Sequence, residues 1–183
     1  GRQNQPVLYV RDGVDGVDRV AVDPNVLAAD GTTALDWYHP SPDGRLLAYG
    51  LSTDGSEHST LHVLDLAALE PLPDRIPRTR AADVAWLTDA SGFYYTRYPA
   101  PGEVPAGEEP YHRAVWFHRL GADPARDERV FTPAQKEHWP GVSLSQDGRW
   151  LLVTVARTFD QTDLYLRDLA GGDAFVPVAL LKL

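Results

Sequence analysis

A serine nucleophile of the α/β-hydrolase class sits in the pattern Gly-x-Ser-x-Gly, because a sharp turn between a strand and a helix has to expose its hydroxyl. The nearest match in this sequence is Gly50-Leu51-Ser52-Thr53-Asp54, which lacks the second glycine and runs from a strand end into a loop. We therefore predict that Ser52 makes structural hydrogen bonds and that the chain carries no catalytic residue.

Histidine and aspartate pairs give no better metal site. His58 and His62 have the i, i+4 spacing of a helical zinc pair, but His62 falls in a strand-like run. Four residues of strand span about 13 Å, so two such side chains cannot share an ion. Asp12, Asp15 and Asp18 lie in DGVDGVD, which fits a hairpin better than the alternating ligands and terminal Glu of a calcium loop. We predict no metal and no cofactor.

Composition excludes several classes of partner. The formal net charge is −9 and Lys136 and Lys182 are the only lysines, which argues against a nucleic-acid surface. No apolar run approaches the roughly 20 residues of a membrane helix, and GRQNQP lacks the regions of a signal peptide, so we expect no membrane partner. The absence of cysteine leaves the compartment open, with the cytoplasm favoured over the periplasm. The sequence has no Met, so we expect processing or a longer parent chain.

Three stretches share a polar turn followed by an apolar run of strand-forming residues. They read SPDGRLLAYG from Ser41, TDASGFYYTR from Thr88 and SQDGRWLLVTV from Ser145. Such a repeat indicates propeller blades, and the lack of polar alternation in the runs predicts that both faces of each sheet are covered. We align the three units on their turn glycines, which are Gly44, Gly92 and Gly148.

The repeat predicts an all-β chain, a partial β-propeller of about three and a half four-stranded blades. Residues 1–33 are expected to end one blade and connect to the next. Residues 34–80 form a blade, 81–137 form a blade with an inserted loop at 99–113, and 138–183 form a third. A closed propeller needs about 4 to 8 blades, so this chain is not expected to close on itself.

The inserted loop Pro99 to Arg113 reads PAPGEVPAGEEPYHR and shows no periodicity. A long loop of this kind inside a compact β domain is either a functional lid or a flexible excursion. Its length alone does not decide between them.

Six motifs follow one another in order along the chain. They are NQPVLYV; DPN with Leu27 and DGT; SPDGRLLAYG with Ser52 and a following GS; GFYYTRYP; HRLG; and SQDGRWL. SPDG alone occurs in many propellers, but the ordered set closely resembles the propeller of the prolyl oligopeptidase family. The resemblance covers essentially the whole chain.

Members of that family are serine peptidases that cut short peptides after proline. Their seven-bladed propeller caps the Ser-Asp-His site of an α/β-hydrolase domain and excludes large substrates. The resemblance implies that this chain is the early part of such a propeller, and that the hydrolase domain with its triad is absent from it. It also implies two partners, which are short proline-containing peptides and the hydrolase domain of the same parent.

The resemblance also indicates site residues. The insertion matches a family loop that lines the route into the active site, which favours a gating role for Pro99, Glu103, Glu108, Tyr111 and Arg113. Arg157 and Phe159 fall where the family's propeller sends an arginine and a neighbouring side chain toward the substrate. We interpret these two as peptide contacts.

The sequence thus predicts a non-catalytic propeller segment of a prolyl-oligopeptidase-like serine endopeptidase that gates access and lines the active-site cavity. The alternative is a non-enzymatic propeller module that binds a protein partner. A third reading is a β domain that oligomerises through its open blade edges.

Overall fold

The computed structural model describes residues 5–27 and 31–182. The first sheet has two antiparallel strands, β1 (Leu8–Val10) and β2 (Arg19–Val22). They are joined through the DGVDGVD segment, as the hairpin interpretation requires. The connector that follows contains one helical turn, α1 (Pro24–Leu27).

Three further sheets each contain four antiparallel strands in chain order. Blade 1 comprises β3 (Ala34–Pro40), β4 (Leu46–Ser52), β5 (Thr60–Asp65) and β6 (Glu70–Ile76). Blade 2 comprises β7 (Val84–Trp86), β8 (Gly92–Arg97), β9 (Ala114–Arg119) and β10 (Glu128–Phe131). Blade 3 comprises β11 (Trp139–Leu144), β12 (Trp150–Thr158), β13 (Gln161–Asp168) and β14 (Val176–Lys182). Four-stranded sheets of this order are the expected propeller unit.

The second strands of blades 1 and 2 bury both faces, as the apolar runs predicted. For blade 3 that prediction is wrong, because β12 alternates, with Val153 and Val155 buried and Thr154 between them exposed.

Blade 2 lies between two cores. Phe93 and Tyr95 on β8 pack with Trp86 into a core shared with blade 1, which supplies Leu61 and Ile76. The side chain between them points the other way, because successive residues of a strand face opposite sides of the sheet. Tyr94 accordingly belongs to a second core, which it forms with the following buried residues: Ala85, Val115, Val142, Leu151, Val153 and Val155. A third core joins Val22 of β2 to blade 1.

Antiparallel strands place the loops of each blade at two ends. The loops after the second strands (53–59, 98–113 and 159–160) and the connectors between blades (77–83 and 132–138) share one end, here called the loop face. Backbone hydrogen bonds tie its segments together. Thr79 donates to the carbonyl of Ser59 at 2.9 Å, and Tyr98 donates to the carbonyl of Arg78 at 3.0 Å.

The repeated turns lie at the opposite end of the blades and have one geometry. The Ser41 hydroxyl donates to Asp43 at 2.6 Å and accepts from the amide of Leu46 at 3.0 Å. Gly44, at φ 69°, donates to the Ser41 carbonyl at 3.0 Å. The turn from Ser145 repeats these bonds.

In blade 2 the alignment on Gly92 is wrong by two residues. Ala90 donates to the Leu87 carbonyl at 3.0 Å and has φ 56°, so Ala90 occupies the place of Gly44. Gly92 is instead the first residue of β8. A Cβ on Gly92 would lie 2.5 Å from the carbonyl oxygen of His118 on β9, which explains the glycine by close approach of two strands.

Among the residues that the structure describes, no helix has the length and apolar character needed to cross a membrane.

Replacing Gly92 with alanine should lower the free energy of unfolding by about 1–3 kcal/mol, because the new methyl group overlaps backbone that cannot turn away. Ala90→Gly is the matched control. This change removes the backbone strain of a left-handed alanine, which stabilises the fold by about 1 kcal/mol. It also removes a buried methyl group, which destabilises the fold by about 0.8 kcal/mol, so the net change in the free energy of unfolding should be small. Urea unfolding of both variants measures the difference, and equal stabilities would contradict the corrected turn register.

Candidate functional site

The inserted loop on the loop face has no helix or strand but is ordered by its own turns. Glu103 closes the first turn, since its amide donates to the Ala100 carbonyl at 3.0 Å and its carboxylate accepts from the Ala100 amide at 2.7 Å. Glu109 accepts from the Gly107 amide at 2.8 Å in the next turn. The segment is therefore a compact surface loop held by local hydrogen bonds.

Glu108 fastens the loop to the connector before blade 3. Its carboxylate accepts from His112 Nε2 at 2.7 Å and from Lys136 Nζ at 2.7 Å. The ammonium of Lys136 also lies 5.5 Å from the ring centre of Tyr111. The hydrogen bonds from His112 and Lys136 lower the pKa of Glu108, and the bond to Glu108 raises the pKa of Lys136.

Arg113 lies beneath the loop and not along an opening. It is only 2% exposed, and its guanidinium donates to the Ala81 carbonyl at 2.6 Å and to the Thr96 hydroxyl. The same group stacks 4.2 Å from the ring centre of Trp139. Burial lowers the pKa of Arg113. Of the five gate candidates, Pro99 and Arg113 are buried, Glu108 is half-buried, and Glu103 and Tyr111 are exposed.

Arg157 and Phe159 occupy the β12–β13 hairpin on the same face. The strand register shifts between Ala156 and Thr158, so Arg157 sits at a bulge, a feature that re-aims a side chain. Its guanidinium lies 3.2 Å from Asp163 on β13. Phe159 is fully exposed at the hairpin tip. No hydrogen bond or ion pair joins either residue to loop 99–113 in the described ranges.

The loop roofs a cavity of about 310 Å³ on this face. It is lined by His58, Arg78, Arg80, Tyr98, Pro99, Pro101, Glu109 and Pro110. The first three come from blade 1 and its connector, and the rest belong to the inserted loop and its first flanking residue. Nothing in the sequence motifs pointed to this cavity, because its two walls are separated along the chain.

The remaining candidates from the sequence have structural surroundings. The Ser52 hydroxyl, at the end of β4, donates to Asp36 at 2.9 Å. His62 stacks on Tyr49 at 5.4 Å, and burial lowers its pKa to about 4. Within residues 5–27 and 31–182 no group of three or more His, Asp and Glu side chains could hold a metal ion.

A buried cluster joins blades 1 and 2 and looks superficially catalytic. His118 on β9 donates through Nε2 to Asp74 of β6 at 2.9 Å and through Nδ1 to Asp127 at 2.7 Å. Both nitrogens face carboxylates, so the ring is a doubly protonated imidazolium. The hydroxyl in the cluster is that of Tyr95, which donates to Asp127 at 2.6 Å. All side-chain area of His118 and Asp74 is buried, so no substrate reaches them.

The whole segment from residue 1 to residue 182 matches the family model described as "Prolyl oligopeptidase, N-terminal beta-propeller domain". The chain belongs to this family. Its sheets are therefore blades of the family's propeller, as the ordered motifs predicted, and the independent repeat module is not favoured.

Curated members of the prolyl oligopeptidase family align along almost the whole chain. The prolyl endopeptidase of Elizabethkingia meningoseptica is 32% identical over 181 residues, which cover 97% of this chain and 25% of the relative. The dual function macrocyclase-peptidase POPB of Galerina marginata is 31% identical over 174 residues, covering 84% of this chain and 24% of the relative. The chain thus spans about a quarter of the length of the relatives it matches.

Solved structures of the family have the same fold. A structure from a study of two prolyl endopeptidases and their inter-domain dynamics has a TM-score of 0.87 at 29% identity, covering 95% of this chain and 26% of that one. Prolyl oligopeptidase B from Galerina marginata bound to a 25mer macrocyclization substrate has a TM-score of 0.80 at 27% identity, covering 97% and 28%.

The His118 cluster predicts a loss of stability at alkaline pH. Burial alone lowers the pKa of His118, but the hydrogen bonds to Asp127 and Asp74 outweigh it and raise the pKa to about 9. A folded-state pKa above the unfolded value of about 6.5 stabilises the fold, and this stabilisation is complete below about pH 6.5. It is lost as the pH rises through the folded-state pKa. The free energy of unfolding should fall by about 3 kcal/mol over this window.

Urea unfolding at a series of pH values measures this slope. His58→Asn, at an exposed histidine, should leave it unchanged, and His118→Asn should flatten it while destabilising the chain by about 3–5 kcal/mol. A flat profile in the unaltered chain between pH 6.5 and 9 would show that His118 is not held as an imidazolium.

The Glu108 contacts predict that Glu108→Gln loosens the inserted loop, because a neutral amide loses the charge-assisted bond to Lys136 and has a single acceptor oxygen for Lys136 and His112. Cleavage of loop 99–113 by subtilisin should accelerate roughly three- to tenfold, as the open loop is populated more often. Glu128→Gln makes the same charge change outside the loop and should not alter the rate. If both variants are cleaved like the unaltered chain, Glu108 does not anchor the loop.

Proposed function

We propose that this propeller segment controls access to the active site of a serine endopeptidase that cleaves short peptides after proline. The hydrolase domain with its triad would be supplied by the parent chain. Support comes from the relatives named prolyl endopeptidase and prolyl oligopeptidase, which this chain matches over 97% or 87% of its length. The chain alone would be inactive, since its hydroxyl and histidine side chains form no nucleophile–base pair in the described residues.

The observation that carries the proposal is the placement of Arg157 and Phe159. They sit at the same end of the blades as loop 99–113, at a bulge and a hairpin tip. Phe159 is fully exposed and makes no ring contact in the described chain, so its ring is available to a peptide. The half-exposed guanidinium beside it can donate hydrogen bonds to peptide carbonyls.

Loop 99–113 is suited to a gate by its position and construction. It rests on the local turns of Glu103 and Glu109. Its tethers to the rest of the chain, at Glu108, His112 and Arg113, all lie in its second half. Elements of this kind open at low free-energy cost compared with core strands. We propose that the loop face meets the hydrolase domain and that the loop admits only small peptides.

We expect the parent protein to cleave a Gly-Pro reporter peptide and the 183-residue chain to leave it intact. Arg157→Gln in the parent should raise KM about tenfold, through loss of a charge-assisted hydrogen bond to the peptide. Arg149→Gln is a matched control, because Arg149 pairs with Asp168 across the same two strands but at the opposite end. It should leave KM unchanged.

Two results would count against the proposal. Cleavage of the reporter by the isolated chain would show that it is catalytic by itself. Equal KM values for Arg157→Gln and the unaltered parent, with intact folding by circular dichroism, would remove Arg157 from the peptide site.

A further inference from the structure

The cavity under the inserted loop combines an apolar wall with cationic groups. Tyr98, Pro99, Pro101 and Pro110 supply flat ring surfaces on one side. At about 310 Å³ it is at the small end of ligand sites, large enough for one or two residues of a peptide. Pyrrolidine and phenol rings pack well against another proline ring, since all are rigid and apolar on their faces.

Arg78 forms the cationic wall. Its Nε donates to the Tyr98 carbonyl at 3.2 Å, which holds the side chain against the residue that precedes the loop. In the ranges that the structure describes, no carboxylate lies within ion-pair distance of its guanidinium. Burial and the neighbouring Arg97 lower the pKa of Arg78. A half-buried cation of this kind favours an anionic ligand.

The backbone conformation of Arg78 also favours a ligand site at this position. Its φ is 66°, in the left-handed region that bulky side chains rarely adopt. Such backbone strain costs on the order of 1 kcal/mol and tends to occur at ligand sites. Here it accompanies a side chain that borders an open cavity.

The remaining charged groups of the cavity favour a single carboxylate. Arg80 is paired with Glu57, whereas Arg78 has no ion-pair partner among the described residues and Glu103 acts on it only from beyond ion-pair distance. Glu109 also lines the cavity, and its Oε2 is bound to the Gly107 amide at 2.8 Å. A ligand with one negative charge next to an apolar ring therefore fits better than a polyanion.

We propose that this cavity binds the C-terminal carboxylate of a short peptide that ends in proline. The carboxylate pairs with Arg78, and the proline ring packs among Tyr98, Pro99 and Pro101. This inference rests on the proposed function, because hydrolysis after proline breaks the Pro–X amide bond, adds water, and releases a peptide with this terminus. The cavity is thus a site for the product, separate from the contacts at Arg157 and Phe159.

Binding is tested by calorimetric titration of the chain with acetyl-Ala-Pro as the free acid. The same peptide as its C-terminal amide is the matched ligand, since it has the same size but a neutral end group with one acceptor oxygen in place of two. We expect the acid to bind at least about tenfold more tightly than the amide, and Arg78→Gln to lose this preference. Arg75→Gln removes an equal charge from exposed strand β6 outside the cavity and should bind the acid normally.

Glu109→Gln provides a second variant at the rim. It removes the like charge, so the acid should bind more tightly while the amide is unaffected. The acid–amide comparison on the unaltered chain needs no variant and decides the issue even if Arg78→Gln does not fold. Equal affinities of acid and amide would overturn the proposal, as would free acetate binding as well as acetyl-Ala-Pro.

The two proposals fail separately. Binding of the acid by a protein whose parent does not cleave the Gly-Pro reporter would support the cavity site and refute the proposed function. Cleavage of the reporter with no preference for the acid would do the reverse.

Discussion

A propeller blade is a sheet with two apolar faces, and neighbouring blades must cover both of them. This constraint determines how the chain is arranged. In blade 2 alternate side chains of β8 enter different cores, Phe93 and Tyr95 toward blade 1 and Tyr94 toward blade 3. Neither core exists without its neighbour, so a blade is stable only as one layer of a stack. The stacking also fixes the direction of every strand and thereby collects the loops after the second strands at one end.

That collection creates the candidate site. The inserted loop, the connector around Arg78 and the hairpin of Phe159 are far apart along the chain, yet the same strand polarity brings all three to the loop face. Rigid sheets supply the positions, and irregular segments supply the chemistry, which is the usual division in β folds. The cavity arises where the β4–β5 loop and the connector after blade 1 meet the inserted loop of blade 2.

Much of this architecture was predictable from residues. The blades were predictable from two local signals, which are the turn residues at Ser41 and Ser145 and the apolar runs that follow the turns. The predicted turn register of blade 2 is wrong because Ala90 stands at a turn position where the other units have glycine. Gly92 is a glycine because the carbonyl of His118, distant in sequence, lies too close for a Cβ. Other contacts also join residues that are remote in sequence, and no spacing rule reveals such pairs. They are Glu108 with Lys136, Arg113 with Ala81, and Asp74 with His118.

The two interfaces of blade 2 differ in kind. Toward blade 1 an apolar core is joined by the Asp74–His118–Asp127 cluster. Toward blade 3 the apolar core is flanked by the buried Arg113, which stacks on Trp139 and has no carboxylate within ion-pair distance among the described residues. Hydrophobic burial weakens on cooling, while the desolvation penalty of buried ions falls on heating. Cold should therefore loosen the contact with blade 3 first, and heat should spare the contact with blade 1 longest.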